Sequence, residues 1–244
     1  MLKDRLKYLL KQLPIPLTKN HKYDILTRKI IHRHLGSTDN AIDVGVLDGE
    51  ILDDYLKAAP NGIHTGFEPI PEKINRLQAK YEGKNIRIEG YALSNESGES
   101  SFNLVESNPS YSGLKKRTYD KPNEVDTSIK VQMRRLDEYL DELKDIKLIK
   151  IDVEGAEYLV LEGGKALIAR DKPLLIFEHG IGGADVYGIR PEQLFALVSE
   201  ELGYEIFLLD TYLKKQSPLS KYDLVKEFDS GSNYYFVAAH PLKA

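Results

Sequence analysis

The sequence predicts an α/β protein: a Rossmann-like, doubly wound sheet with a C-terminal antiparallel hairpin and an N-terminal helical extension. Three observations predict it. From about residue 40 onward, short apolar runs alternate with segments of helical periodicity, the pattern of strands joined by crossover helices. Two of those runs, Ala41–Val44 and Leu148–Ile151, pass directly into acidic residues and glycine before a helix begins. Open α/β sheets bind their ligands at that carboxyl edge.

Composition bounds the function classes. A chain of 244 residues suits one large domain or a domain with a small appendage. A domain this size buries roughly 70% of its unfolded surface and needs no covalent staples. There is no cysteine, so disulfides, thiolate catalysis and Cys-ligated metals are excluded. No apolar run reaches the ~18 residues of a membrane span and no signal peptide is visible, which makes a cytoplasmic location the expectation. The net charge of -4 argues against general nucleic-acid binding. That charge is unevenly spread. Residues 1–36 hold nine Lys/Arg against Asp4 and Asp24, while the remainder holds 25 basic and 36 acidic residues. The expected division is an N-terminal helical extension, 1–36, and a ligand-binding domain, 37–244.

Within the extension, Leu2, Leu6, Leu9 and Leu13 recur at helical spacing, and Pro14 and Pro16 end that helix. A second helix is expected from Tyr23 to Leu35, with Leu26, Ile30 and Ile31 buried and Gly36 as the stop. The first strand, Ala41–Val44, is followed by a helix from Glu50 to Ala58. The second strand, Ile63–Phe67, leads to a helix over 71–81, where Pro71 suits the first turn. Ile86–Glu89 is the third strand. A polar interruption over 94–127 holds a candidate strand at 100–105 and a loop over 108–126. A strand at 129–133 and a short helix at 136–143 follow. Leu148–Ile151 is the fourth main strand, 156–169 its helix, and 174–177 the fifth strand. A glycine-rich loop, 179–188, precedes a helix over 191–202. Residues 204–209 and 234–238 are expected to pair as an antiparallel hairpin across a long polar connection.

The first chemical constellation is Asp43-Val44-Gly45-Val46-Leu47-Asp48-Gly49-Glu50, followed by Phe67-Glu68-Pro69 at the end of the second strand. Gly45 lets the backbone approach a ligand and Gly49 lets the turn close. Glu68 stands where an acidic residue can accept hydrogen bonds from both hydroxyls of a ribose. A dinucleotide site would need G-x-G-x-x-G, so that helix amides meet a pyrophosphate. Here the turn is G-x-x-x-G with Asp48 and Glu50 at the helix start, and two carboxylates there repel a pyrophosphate. They suit a ligand with an ammonium group and no phosphate, which favours S-adenosylmethionine over NAD.

These residues belong to a longer series: Asp43-Val44-Gly45-x-x-x-Gly49, Phe67-Glu68-Pro69, Ala92-Leu93-Ser94, Leu136-Asp137-Glu138-Tyr139-Leu140, Lys150-Ile151-Asp152-Val153-Glu154-Gly155-Ala156-Glu157 and Ile176-Phe177-Glu178. The series resembles the FkbM-type methyltransferases over about residues 40–180. The resemblance implies a Rossmann-like methyltransferase sheet, S-adenosylmethionine as cofactor, and O-methylation of a sugar hydroxyl or related acceptor. It assigns cofactor binding to Asp43, Gly45, Asp48, Gly49, Glu68, Pro69, Asp152 and Glu154. One position departs from the family pattern: the turn usually reads Gly-Ala-Asn-x-Gly, and Leu47 stands in place of the Asn. An NAD-dependent oxidoreductase and a catalytically inactive nucleoside-binding module are the rival readings.

A hydroxyl acceptor needs a base or a metal to help it lose its proton. The candidates are Asp152, Glu154, Glu178 and His179. His179 is the first choice for the base because its ordinary pKa lies near neutrality. Asp152 and Glu178 are alternatively a pair of oxygen donors for a divalent cation such as Mg²⁺. Glu157 is assigned to its helix start, where the dipole favours negative charge. The Gly-rich loop from Gly180 to Gly188 is a candidate gate, and Asn108–Gly113 a candidate lining of the acceptor pocket. Lys115-Lys116-Arg117 is either a solvated run or a contact for an anionic acceptor. The partner expected is a small-molecule or glycan acceptor. The basic N-terminal helix either packs on the core, mediates a homodimer, or rests on an anionic membrane surface.

Overall fold

The computed structural model describes residues 16–119 and 124–241. The leucine-striped helix expected over residues 2–13 lies outside the described residues. Helix α1 spans Lys19–His34 and begins four residues before the expected Tyr23, because the Thr18 side chain caps it by accepting the His21 amide at 3.1 Å.

From there the chain winds as predicted. Strand β1 (Asn40–Val44), helix α2 (Glu50–Ala58), β2 (His64–Phe67), α3 (Pro71–Lys80) and β3 (Ile86–Glu89) follow in order. The polar interruption folds into a separate three-stranded sheet. In it β6 (Asp126–Arg134) lies between β4 (Ala92–Leu93) and β5 (Gly98–Val105). The main chain path resumes with β7 (Ile146–Ile151), α4 (Glu157–Gly163), α5 (Lys165–Asp171), β8 (Leu174–Glu178), α6 (Pro191–Phe195), β9 (Glu205–Leu208), α7 (Leu209–Leu213), α8 (Lys221–Ser230) and β10 (Tyr235–Ala239). The large sheet has the order β3-β2-β1-β7-β8-β10-β9. Its first five strands are parallel, and β10 runs antiparallel to both β8 and β9.

Two expectations need correction. The single helix over 156–169 is two helices. The Asp137 carboxylate accepts the amides of Ala166 and Leu167 at 3.1 and 2.9 Å, which gives α5 its own N-terminus. The long polar connection before β10 also contains α7 and α8. Helix α8 starts at a capping box, with Ser220 and Asp223 hydrogen-bonding each other's backbone.

Apolar residues cover the sheet on both faces. One cluster joins Ile42, Val44, Ile149, Ile151, Leu175, Phe177 and Phe236 to α4, α5, α6 and α8. The other joins Ala41, Leu148, Leu174, Ile176 and Val237 to Tyr23, Ile30 and Ile31 of α1, Leu52 and Tyr55 of α2, and Leu77 of α3. Side chains alternate faces along a strand. On β1, β7, β8 and β10 the polar exceptions Asp43, Lys150, Glu178 and Tyr235 all take the parity of the second cluster, so they face α1. Registration completes the pattern: Asp43 pairs with Lys150, and Tyr235 pairs with Glu178.

Candidate functional site

The site forms at the carboxyl edge, where β1 and β7 each end in a turn. The two turns touch. A Cβ on Gly45 would lie 1.9 Å from the Asp152 carbonyl oxygen, and Gly45 has φ +86°. The glycine is therefore required by the neighbouring turn, and not, as the sequence alone suggested, only by approach to a ligand. Glu157 is buried and its Oε1 accepts the amides of Val153 and Gly155 at 2.9 and 3.1 Å. It thus holds the whole turn from Asp152 to Gly155 in shape, a larger role than favouring a helix start. Burial raises its pKa to about 7. On the other turn, the Tyr81 hydroxyl donates to the Gly49 carbonyl at 2.7 Å.

A buried charge row runs beneath these turns. Lys150 Nζ lies 2.9 Å from Asp152 Oδ2 and 3.8 Å from Asp43 Oδ1. Asp43 is 1% exposed, and neither of its oxygens has a hydrogen-bond partner among the described residues. Burial pushes its pKa up to about 7, against the pull of Lys150. Burial works against the Lys150 ammonium too, but Asp152 and Asp43 hold its pKa above the ordinary value. Asp152 is only partly buried, its side chain 28% exposed, and Lys150 and the Tyr235 hydroxyl hold its carboxyl below the usual range against the effect of desolvation. Both donors bind the same atom, Oδ2. Oδ1 has no hydrogen bond among the described residues.

Three cavities meet at this edge, and Asp152 lines all of them. The first, about 670 Å³, is largely apolar: Val44, Phe67, Ile70, Tyr91, Leu93 and Phe102 surround Glu68. Glu68 Oε2 accepts the Leu47 amide and Oε1 the Ile70 amide, both at 2.9 Å, so each oxygen keeps a lone pair. Burial raises its pKa. The second, about 740 Å³, lies between α1 and the first turn, with Asp24, Arg28, Asp48, Glu50 and Lys150 on its walls. The third and largest, about 1230 Å³, is walled by Tyr23, Tyr111, Tyr234 and Tyr235 together with Asp152, Glu154, Glu178 and Arg117.

Of the residues that the sequence singled out, Gly45, Asp48, Glu68, Pro69, Asp152, Glu154 and Glu178 line these cavities. Asp43 and Gly49 do not; Asp43 lies beneath the turn as the counter-charge of Lys150. Asp48 pairs with Lys73, and Glu50 lies 3.3 Å from Arg28. His179 does not reach the site. It follows Glu178 by one residue, and alternation turns it to the opposite face, where its ring packs 5.0 Å from that of Phe228 on α8. It is 1% exposed, and burial, then Arg190, lowers its pKa to about 4, so the geometry gives no support to a basic role at the acceptor. Nor does the donor set fit Mg²⁺. Asp152 Oδ2 is held by an ammonium, and no group of three or more His, Asp or Glu among the described residues is arranged to hold a metal.

The loop Asn108–Gly113 lines the site from both sides. Pro109 and Ser112 face the first cavity, Tyr111 the third and Ser110 both. The basic run beyond it is already engaged: Lys115 stacks 5.0 Å from the Tyr187 ring, Lys116 pairs with Asp126, and Arg117 pairs with Glu154 on the wall of the third cavity. Of the four tyrosines, sequence reasoning singled out Tyr111 within its loop and missed Tyr23, Tyr234 and Tyr235. Tyr23 stacks on Tyr235 at 5.3 Å and meets Tyr234 edge-on at 4.9 Å. No short motif marks them, because they come from opposite ends of the chain.

The doubly wound sheet, with ligand-sized cavities beyond the carboxyl ends of its central strands, defines a Rossmann-like α/β protein. The methyltransferase FkbM domain model matches residues 43–206, more than half of the chain, and the chain belongs to that family. Its fold resembles that of an FkbM methyltransferase from Methylobacillus flagellatus KT, with a TM-score of 0.51 and 15% identity. The likeness covers 84% of this chain and 44% of that one, so the chain spans less than half the length of that protein. A TehB-like SAM-dependent methyltransferase from Corynebacterium glutamicum gives a TM-score of 0.47 at 14% identity, over 89% and 88% of the two chains. Aeropyrum pernix fibrillarin, solved with natively bound S-adenosyl-L-methionine, gives 0.44 at 12% identity, over 84% and 67%. No curated protein matches the chain.

Proposed function

We propose that the protein is an S-adenosylmethionine-dependent O-methyltransferase acting on a hydroxyl of a sugar or similar small acceptor. The observation that carries the reading is the position of Asp152 where the three cavities meet, with Oδ2 anchored and Oδ1 free to face a ligand. The cavities fit the cofactor's parts. The apolar first cavity offers Glu68, whose remaining lone pairs suit ribose hydroxyls. The second has the carboxylates and the Arg28 and Lys150 cations that suit an amino acid's two charges. When bound, S-adenosylmethionine supplies an electrophilic methyl group on a sulfonium.

The chain's own residues do the rest. Lys150 and Tyr235 keep Asp152 ionised at neutral pH and fix its orientation. Asp152 Oδ1 accepts a hydrogen bond from the acceptor hydroxyl and takes its proton as the oxygen is methylated. The tyrosine walls stack against the acceptor's apolar face and exclude water. Calorimetry with S-adenosylhomocysteine tests the cofactor assignment. Binding is expected, and NAD binding in its place would overturn it.

A further inference from the structure

We infer that the acceptor carries an ammonium group as well as the hydroxyl to be methylated, and that Glu178 is its counter-charge. This rests on the methyltransferase reading of the third cavity and names the class of molecule that fills it.

The electrostatics of that cavity carry the inference. Four carboxyl groups, Asp24, Asp152, Glu154 and Glu178, line it against one guanidinium, that of Arg117. Asp152 is matched by Lys150, and Glu154 by Arg117. Glu178 is different. It is partly buried, it lines the cavity, and it has no hydrogen bond or ion pair among the described residues. Its strand neighbour Tyr235 gives its hydroxyl to Asp152 and not to Glu178. Burial, together with the charges of Asp152, Glu154 and Glu157, raises the Glu178 pKa well above the carboxylate range. A cation arriving beside it relieves both penalties at once.

The aromatic walls point the same way. Tyrosine rings favour a cation over their faces, and Lys19 and Arg117 already lie 4.5 and 5.2 Å from the ring centres of Tyr234 and Tyr111. Of the basic run that the sequence offered to an anionic acceptor, Lys115 and Lys116 are spent on Tyr187 and Asp126, and Arg117, which does line the cavity, is paired with Glu154. A phosphate or carboxylate entering the cavity meets like charge, whereas an amino sugar or amino alcohol meets Glu178 with its ammonium and Asp152 Oδ1 with its hydroxyl.

The test uses one ring scaffold in three charge states. D-glucosamine, D-glucose and D-glucuronate are titrated, by calorimetry or ligand-observed NMR, into the full chain saturated with S-adenosylhomocysteine at about pH 6.5, where the amine is protonated. Glucosamine is expected to bind about tenfold more tightly than glucose, and glucuronate more weakly than either, as one charged hydrogen bond gained or one like charge met would give. Glu178→Gln is expected to erase the preference for glucosamine while leaving S-adenosylhomocysteine affinity unchanged. Equal binding of the three sugars, a preference for glucuronate, no sugar binding, or an unaltered order in Glu178→Gln overturns the inference. Failure of S-adenosylhomocysteine to bind instead overturns the methyltransferase reading, so the two failures are separate.

Discussion

The wall between the first and second cavities is made by backbone, and the wall of the third is made by side chains. On the first side, two turns at the ends of adjacent parallel strands are locked by Gly45 against the Asp152 carbonyl, by Glu157 against two amides, and by Glu68 against two more. Each lock spans a short stretch of chain or two neighbouring strands. On the other side, Tyr23 of α1 stacks on Tyr235 of β10, with Tyr111 contributed by a loop. The first arrangement fixes geometry to within a bond length. The second fixes only chemistry, a set of rings and carboxyls around an open volume. Under the proposed function, the difference suits an invariant ligand on one side and a selectable one on the other.

The largest expected effect strikes the backbone wall. Gly45→Ala places a methyl group 1.9 Å from a carbonyl oxygen at φ +86°. It is expected to destabilise the fold by about 3 kcal/mol or more, read as a fall in the denaturation midpoint. A normal midpoint would break the claim that this wall is set by backbone contact. Next, Glu68→Ala is expected to weaken S-adenosylhomocysteine binding by about 1.5–3 kcal/mol, the worth of a charged hydrogen bond, while leaving the order of sugar affinities intact. A change in that order would show that the two walls are not independent.

The charge row beneath the turns gives a pH dependence. Asp43 and Glu157 have pKa values raised to about 7 in the folded chain, against ordinary values of 3.8 and 4.5. Between those limits the folded state binds more protons than the unfolded, so their contribution is full at low pH and is lost as pH rises toward 7. The melting temperature is therefore expected to fall between about pH 4.5 and 7, by about 2–4 °C for each kcal/mol lost, and to level off above that. Glu157→Gln should flatten the slope, and an unaltered slope would remove Glu157 from the account. The smallest effect is at Leu47, which holds φ +54° in the turn after β1, a conformation that asparagine tolerates better. Leu47→Asn is expected to raise stability by about 0.5–1 kcal/mol, measured by urea denaturation; a loss of stability would show that the leucine side chain matters more than its backbone.

The same contrast explains what could be read from the sequence. The sheet class and the two acidic turns were legible because alternating β and α segments leave few topologies, and because Asp43-x-Gly45 and Lys150-Ile151-Asp152-Val153-Glu154-Gly155 are local patterns. The bounds of α2 and β3 followed from periodicity alone. Asp152, Glu154 and Glu68 were singled out and all line the cavities, but the partners of Asp152 were not foreseen. Lys150 looked like one more strand residue, and Tyr235 is 83 positions away. His179 was preferred for its intrinsic pKa, although counting one residue on from Glu178 would have turned it away from α1. The tyrosine walls could not be read, since nothing local links Tyr23 to Tyr235.

The contact between Tyr23 and Tyr235 has a consequence for how such a protein changes over generations. Both residues lie outside the stretch 43–206 that the family model matches. Both also line the second cavity, and Tyr235 bonds Asp152, so a substitution at either residue reshapes the second and third cavities together. Changes near either end of the chain can thus remodel two chambers at once without altering the turns after β1 and β7.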